Sequence, residues 1–190
     1  MPKLLALAGS TRSGSFNQRL LDVAVEIARG EGAEVTSISL RDLHLPLYDG
    51  DLEAQAFPEV ADRLRQHFID ADGLLIASPE YNGSVSGVLK NAIDWASRPR
   101  EGESLVALPA FRGKVAGLMS ASISPFGGLR GLLALRQILA TVQTIVATEQ
   151  VLVPFADKAF DGPELTEAMP KQLLPIMVKR VIFLAERLKA

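Results

Sequence analysis

Cysteine is absent from the 190 residues, and its absence removes disulfides, thiolate nucleophiles, iron–sulfur ligation and thiol redox chemistry together. Any electron transfer must then be carried by a bound cofactor. Histidine is scarce: His44 and His67 are the two present, and they stand too far apart for an H-x-x-x-H pair, so no metal site is expected of them. Asp42, Asp49, Asp51 and Glu53 crowd one segment and read as a solvated acidic loop, not a ligand set. An excess of charge of one sign is also missing. The 20 basic and 22 acidic residues leave a formal charge of −2, and the basic ones are scattered, which argues against a nucleic-acid partner. No window approaches the roughly 18 continuous apolar residues of a membrane span. The apolar run from Leu4 to Ala8 is shorter than the roughly 7 to 15 residues of a signal-peptide core. It reads as a first strand, and the cytoplasm is the expected location. The G-x-S-x-G elbow of a hydrolase nucleophile does not occur, nor do internal repeats or low-complexity segments.

What is present is a chain 48% hydrophobic and 22% charged, enough apolar material for one core, so a single domain over residues 1–190 is expected. Leu4 to Ala8 is apolar without alternation, the pattern of a strand buried on both faces. Helical spacing follows from Phe16 to Arg29, stopped by Gly30 and Gly32. Val35 to Leu40 alternates as a less covered strand, Arg41 to Phe57 reads as a loop, and Glu59 to Asp70 as a helix. Gly73 to Ala77 is a third strand, ended at Ser78-Pro79. Val85 to Ser97 is helical, and a linker runs to about Gly113. Val115 to Met119 is a fourth strand, Leu129 to Ala140 a helix and Thr144 to Thr148 a fifth strand. A last helix runs from about Leu165 to Leu188, its start blurred by Pro170 and Pro175. Strands alternating with helices predict an α/β fold: a flavodoxin-like, doubly wound, five-stranded parallel sheet of order 2-1-3-4-5 with helices on both faces. Ligands then bind beyond the carboxyl ends of the strands, at the loops after strands one, three and four.

The first of these loops reads Gly9-Ser10-Thr11-Arg12-Ser13-Gly14-Ser15-Phe16-Asn17. Small residues admit a close ligand, hydroxyls donate, Arg12 supplies charge, and the helix N-terminus favours an anion. Gly9 and Gly14 have the separation of a nucleotide-hydrolase phosphate loop, but Ser15 stands where its lysine belongs. Thr11 likewise replaces the second glycine of a dinucleotide fingerprint. A plain strand-to-helix turn with Ser15 as N-cap is the other reading of these residues.

The loop after strand three reads Ser78-Pro79-Glu80-Tyr81-Asn82-Gly83-Ser84 and leads into Leu89-Lys90-Asn91-Ala92-Ile93-Asp94-Trp95. Asn82-Gly83 resembles a hairpin signal, but a helical pattern follows it, so a hairpin is not expected. The loop can instead offer backbone groups to the edge of a flat heterocycle, with Tyr81 near its face. Trp95, inside a helical apolar pattern, reads as a core or interface residue.

These paired segments resemble the signatures of the NADPH-dependent FMN reductase family, which includes quinone, chromate and azo-dye reductases. The resemblance implies that Ser10, Arg12, Ser15, Phe16 and Asn17 hold the FMN phosphate. It places Pro79, Glu80, Tyr81, Asn82 and Gly83 along the isoalloxazine ring. Many relatives carry proline where this chain has Ser86, a departure expected to loosen the loop slightly. The glycine-rich segment from Ser120 to Gly128 is expected to close over the ring, with Ser120 and Gly127 as contacts. Its glycines also suit an ordinary tight turn.

The implied activity is NAD(P)H-dependent reduction of bound FMN, followed by delivery to a small-molecule acceptor such as a quinone, free flavin, azo dye or chromate. NADPH or NADH is the co-substrate, and no catalytic side chain is obligatory. A non-enzymatic FMN carrier or redox sensor is the rival class, and an NAD(P)-binding protein without FMN a third. A homodimer or homotetramer is implied, with Leu105 to Phe111 and the Trp95 helix as contact surfaces.

Overall fold

A computed structural model describes residues 1–189. The elements in order are β1 (Lys3–Ala8), α1 (Phe16–Gly30), β2 (Glu34–Ile38), α2 (Gly50–Gln55), α3 (Glu59–Asp70), β3 (Gly73–Ala77), α4 (Gly87–Ala96), β4 (Val115–Ala121), α5 (Leu129–Thr141), β5 (Ile145–Val153), β6 (Phe160–Asp161), β7 (Glu164–Leu165) and α6 (Ala168–Leu188). Five strands pair in parallel in the order β2-β1-β3-β4-β5, the arrangement expected from the sequence. β3 and β4 are buried throughout, and β1 at every position after Lys3, as central strands covered on both faces must be. β2 lies at an edge, and none of its residues is fully buried.

Strand alternation divides the core. Leu4, Ala6 and Ala8 face α1 and α6, with Leu20, Leu21, Met177 and Val181. Leu5 and Leu7 face α3, α4 and α5, with Phe68, Leu89, Ile93 and Leu132. α6 lies close to the sheet because Gly117 of β4 has no side chain. A Cβ there would stand 2.6 Å from Val181 Cγ2 and 2.3 Å from Met177 Sδ.

Several boundaries differ from the sequence reading. β5 runs on to Val153, past a register shift opposite Ala116 and Leu118, and that irregularity breaks the alternation on which a strand is recognised. The segment from Arg41 to Phe57 contains α2, capped by the Asp49 carboxylate, which accepts from the Asp51 and Leu52 amides. Glu164–Leu165 pairs antiparallel with Phe160–Asp161, which delays α6 to Ala168. Pro175 sits inside α6 without ending it. Among the described residues no helix is long and apolar enough to cross a membrane.

Register sets the place of the ligand loops. Ala8 pairs with Ala77, and Ala77 with Met119. The Gly9 amide donates to the Ala77 carbonyl at 2.8 Å, and the Ser78 amide to the Met119 carbonyl at 2.9 Å. The loops after β1, β3 and β4 therefore leave the sheet side by side, at the switch point beside β1.

Candidate functional site

The three loops enclose a cavity of about 210 Å³. Ser10, Arg12, Ser15, Phe16 and Asn17 line it from the β1–α1 loop, Pro79, Glu80 and Tyr81 from the β3–α4 loop, and Ala121, Ser122 and Ile123 from the end of β4. Arg12 and Tyr81, 69 positions apart in the chain, share this one cavity. A wider, mostly apolar groove along α1 and α6, lined by Val23, Ile27, Leu174 and Pro175, lies away from the strand ends.

The floor beneath Arg12 is built for an anion. Ser15 caps α1 by accepting from the Gln18 amide at 3.4 Å, which leaves the Phe16 and Asn17 amides without acceptors inside the helix. The positive end of the helix dipole adds to these donors. Arg12 is exposed, has no carboxylate partner among the described residues, and stands 5.7 Å above the Phe16 ring. Phe16 in turn stacks on Phe160 of β6, with ring centroids 6.2 Å apart. The short hairpin, which the sequence reading did not find, thus backs the anion loop.

Two expected contacts are committed elsewhere. The Asn17 side chain is consumed by the end of β4: Nδ2 donates to the Ala121 carbonyl at 2.8 Å, and Oδ1 accepts from the Ala121 amide at 3.0 Å. Asn17 therefore offers the cavity its backbone amide and positions the β4 loop with its side chain. Glu80 borders the cavity, but its carboxylate accepts from Arg130 Nε at 2.7 Å and from the Gly131 amide at 3.1 Å. It caps α5, whose own N-cap residue, Gly128, has no side chain to do so. Burial pushes the Glu80 carboxyl up, but the bonds from Gly131 and Arg130 outweigh it and hold the group below the usual glutamate range.

Asn82-Gly83 does form a hairpin turn, contrary to the sequence reading. Tyr81 and Ser84 exchange both backbone bonds, at 2.9 and 3.0 Å, and Asn82 and Gly83 take φ of 52° and 78°. This is the two-residue turn that favours Asn-Gly, closed on a single bridge with no strand on either side. It leaves Tyr81 51% exposed at the cavity rim. The expected loosening at Ser86 is likewise overturned. Its hydroxyl donates to the Gly9 carbonyl and accepts from the Leu89 amide, so it caps α4 and ties the second loop to the first.

Ser120 and Gly127 do not line the cavity. Ser120 follows Ala116 and Leu118 on the face toward α5, where its hydroxyl is wholly buried without a partner among the described residues. A Cβ on Gly128 would lie 1.9 Å from it. Gly127 packs on Leu152 and Pro154. Ala121, Ser122 and Ile123 reach the cavity in their place; alternation counted along β4 separates Ser120 from Ala121, while Ser122 and Ile123 lie beyond the strand. Ser120→Ala is expected to stabilise the protein by about 1 kcal/mol, because it removes an unsatisfied hydroxyl, and to leave ligand affinity unchanged. Thermal melts and ligand titration test this, and weakened binding would place the hydroxyl in the site.

The Leu89 to Trp95 signature also acts through structure. Asn91 Nδ2 and Trp95 Nε1 both donate to the Pro46 carbonyl at 2.8 Å, and Asn91 Oδ1 accepts from the Tyr48 amide at 2.8 Å. Trp95 is fully buried, edge-on to Tyr48 and Phe57. With Phe111 also fully buried, the apolar surface expected over Leu105 to Phe111 reduces to Leu105 and Val106. Among the described residues there is no cluster able to hold a metal ion.

Residues 2–158 match the family model described as NADPH-dependent FMN reductase. An NAD(P)H-dependent FMN reductase of Pseudomonas aeruginosa is 41% identical over 162 residues, 84% of this chain and 82% of that protein. A 2-hydroxy-1,4-benzoquinone reductase of a Burkholderia species is 33% identical over 189 residues, 97% of each chain. The solved structure of FerB, a flavoenzyme NAD(P)H:(acceptor) oxidoreductase from Paracoccus denitrificans, superposes with a TM-score of 0.80 at 27% identity over 98% of both chains.

Proposed function

Because the chain belongs to the NADPH-dependent FMN reductase family and is an FMN-using NAD(P)H oxidoreductase, we propose that the cavity at the ends of β1, β3 and β4 is its flavin site. The observation that carries this reading is the convergence of an unpaired Arg12, the free first-turn amides of α1 and the Tyr81 rim on one cavity. FMN held there would supply the chemistry of hydride transfer from NAD(P)H and electron delivery to an acceptor.

Each loop has a separate task. Arg12, the Ser10 and Ser15 hydroxyls and the α1 amides hold the phosphate, with charge-assisted bonds as the strongest contribution. Pro79 and Tyr81 flank the ring, and Ala121, Ser122 and Ile123 bound it on the β4 side. The Asn82 and Gly83 amides donate to no carbonyl among the described residues. They lie just beyond the cavity's lining, where a ring edge that reached past Tyr81 would find donors for the negative charge that develops upon reduction. No side-chain acid or base is needed, which leaves Glu80 free for its structural work.

The acceptor is a small molecule such as a quinone, with free flavin, azo dyes and the tetrahedral oxyanion chromate as further candidates. The protein works in the cytoplasm as one flavodoxin-like unit per chain, with neither nucleic acid nor membrane as a partner. It assembles as a homodimer or homotetramer, a state that sedimentation reads directly.

Anaerobic stopped-flow mixing of the FMN-loaded protein with NADPH tests the reading. Bleaching of flavin absorbance is expected, and a flavin that stays oxidised refutes it. Arg12→Ala is expected to weaken FMN by about tenfold without lowering the melting temperature of the unliganded chain, since the side chain is exposed.

A further inference from the structure

A second cleft, of about 540 Å³, opens on the β2 side of the β1–α1 loop. It shares Ser10, Arg12 and Ser15 with the flavin cavity, so the two volumes meet at the anion loop. Its walls carry hydroxyls from Thr11, Ser13, Ser37 and Ser39 and the cations Arg19 and Arg41.

The state of those cations sets the cleft apart. Seven other arginines each hold a carboxylate, Arg112 and Arg136 bond to carbonyls, and Arg187 lies over the Phe183 ring outside this cleft. Arg12, Arg19 and Arg41 have no such acceptor among the described residues, although Asp22 and Asp42 line the same cleft. Asp22 instead accepts from Gln18 Nε2 at 2.8 Å. Three guanidinium groups without an anionic partner among the described residues, two of them over the Phe16 ring, surround one polar hollow at the carboxyl ends of β1 and β2 and suit it to organic phosphate.

We infer that this cleft takes the adenosine-phosphate half of a dinucleotide. The inference rests on the flavin reading of the adjoining cavity. FMN ends at its phosphate, which that reading places on the wall shared by the two volumes, so a ligand that continues past the phosphate enters the cleft. Two molecules carry this chemistry: FAD, whose second phosphate and adenosine extend from the flavin phosphate, and NADPH, whose adenosine carries a 2′-phosphate.

Arg19→Gln and Arg41→Gln, combined, probe the cleft: neither residue lines the flavin cavity, and Arg41→Gln alone controls for the contact of Arg19 with the Phe16 ring. Calorimetric titration with ADP and with 2′,5′-ADP needs no flavin. One of the two is expected to bind the wild-type chain, and the double variant to weaken it by at least about tenfold. If FAD is the source, the unliganded chain prefers FAD to FMN by about tenfold, and the double variant loses that preference with FMN affinity intact. If NADPH is the source, KM for NADPH lies about tenfold below that for NADH, and the double variant closes the gap with kcat unchanged. Failure of both nucleotides to bind, or binding indifferent to the double substitution, overturns the inference. A failure of FMN itself to bind, read by flavin fluorescence, counts against the flavin site and leaves the ADP titrations to be read alone.

Discussion

Asn17→Ala is expected to destabilise the protein by about 3 to 4 kcal/mol and to weaken FMN with it. The side chain makes two buried bonds, to both backbone groups of Ala121. Truncation strands a donor and an acceptor at the last residue of β4, each at a cost of roughly 1 to 3 kcal/mol. Ala121 is buried and the start of α1 stands over it, so the stranded groups are shielded from water except on the side of the cavity that both residues line. The same two bonds hold the β1–α1 loop against the loop that carries Ser122 and Ile123, so the cavity loses its width as well as its stability. Urea denaturation of the flavin-free chain measures the first effect, and a flavin titration under folded conditions the second. Asn17→Asp is the sharper variant: it retains the acceptor for the Ala121 amide but sets a carboxylate oxygen against the Ala121 carbonyl, and it is expected to be no better than alanine at neutral pH. A loss below about 1 kcal/mol for the alanine variant would show that the amide is dispensable.

The sheet and the position of its ligand loops were legible in the sequence because they follow from local patterns. Leu4 to Ala8 and Gly73 to Ala77 are apolar at every position, which a parallel strand covered on both sides requires, and their order fixes where the small-residue loops emerge. What escaped the sequence is non-local. Asn17 finds its partner 104 residues away, and Glu80 caps a helix 51 residues downstream; the family resemblance implies both as ligand contacts, and nothing near them in the chain reveals the partners that take up their polar groups. Ser120 is expected as a contact from its place in the small-residue segment at the end of strand four, whereas the pleat of β4 turns its hydroxyl away from the cavity. The Asn82-Gly83 turn was discounted for want of flanking strands, and one bridge proved sufficient to close it. Ser86 shows the converse error, since absence of proline was read as looseness while its hydroxyl ties Gly9 to the start of α4.

Replacement of Glu80 separates its structural task from any ligand role. Glu80→Ala removes the side-chain cap of α5 and the partner of Arg130, a combined loss of about 2 to 3 kcal/mol from one capping bond and one charge-assisted bond, the Arg130 share being reduced because that side chain is largely exposed. Glu80→Gln keeps an acceptor for the Gly131 amide and loses the charge, so about half of that loss is expected. The two variants differ from wild type in a pH-dependent manner. The native carboxyl sits below its unfolded value, so its contribution is complete above the ordinary glutamate value of about 4.3 and disappears as pH falls below that value through the native one. Wild type and Glu80→Gln are therefore expected to differ most near neutral pH and to converge in acid, even though other carboxylates lower the stability of both. Urea midpoints measured across that range test this. A gap that stays constant with pH would mean that the charge of Glu80 contributes nothing to α5, and its carboxylate would again be available to the ligand.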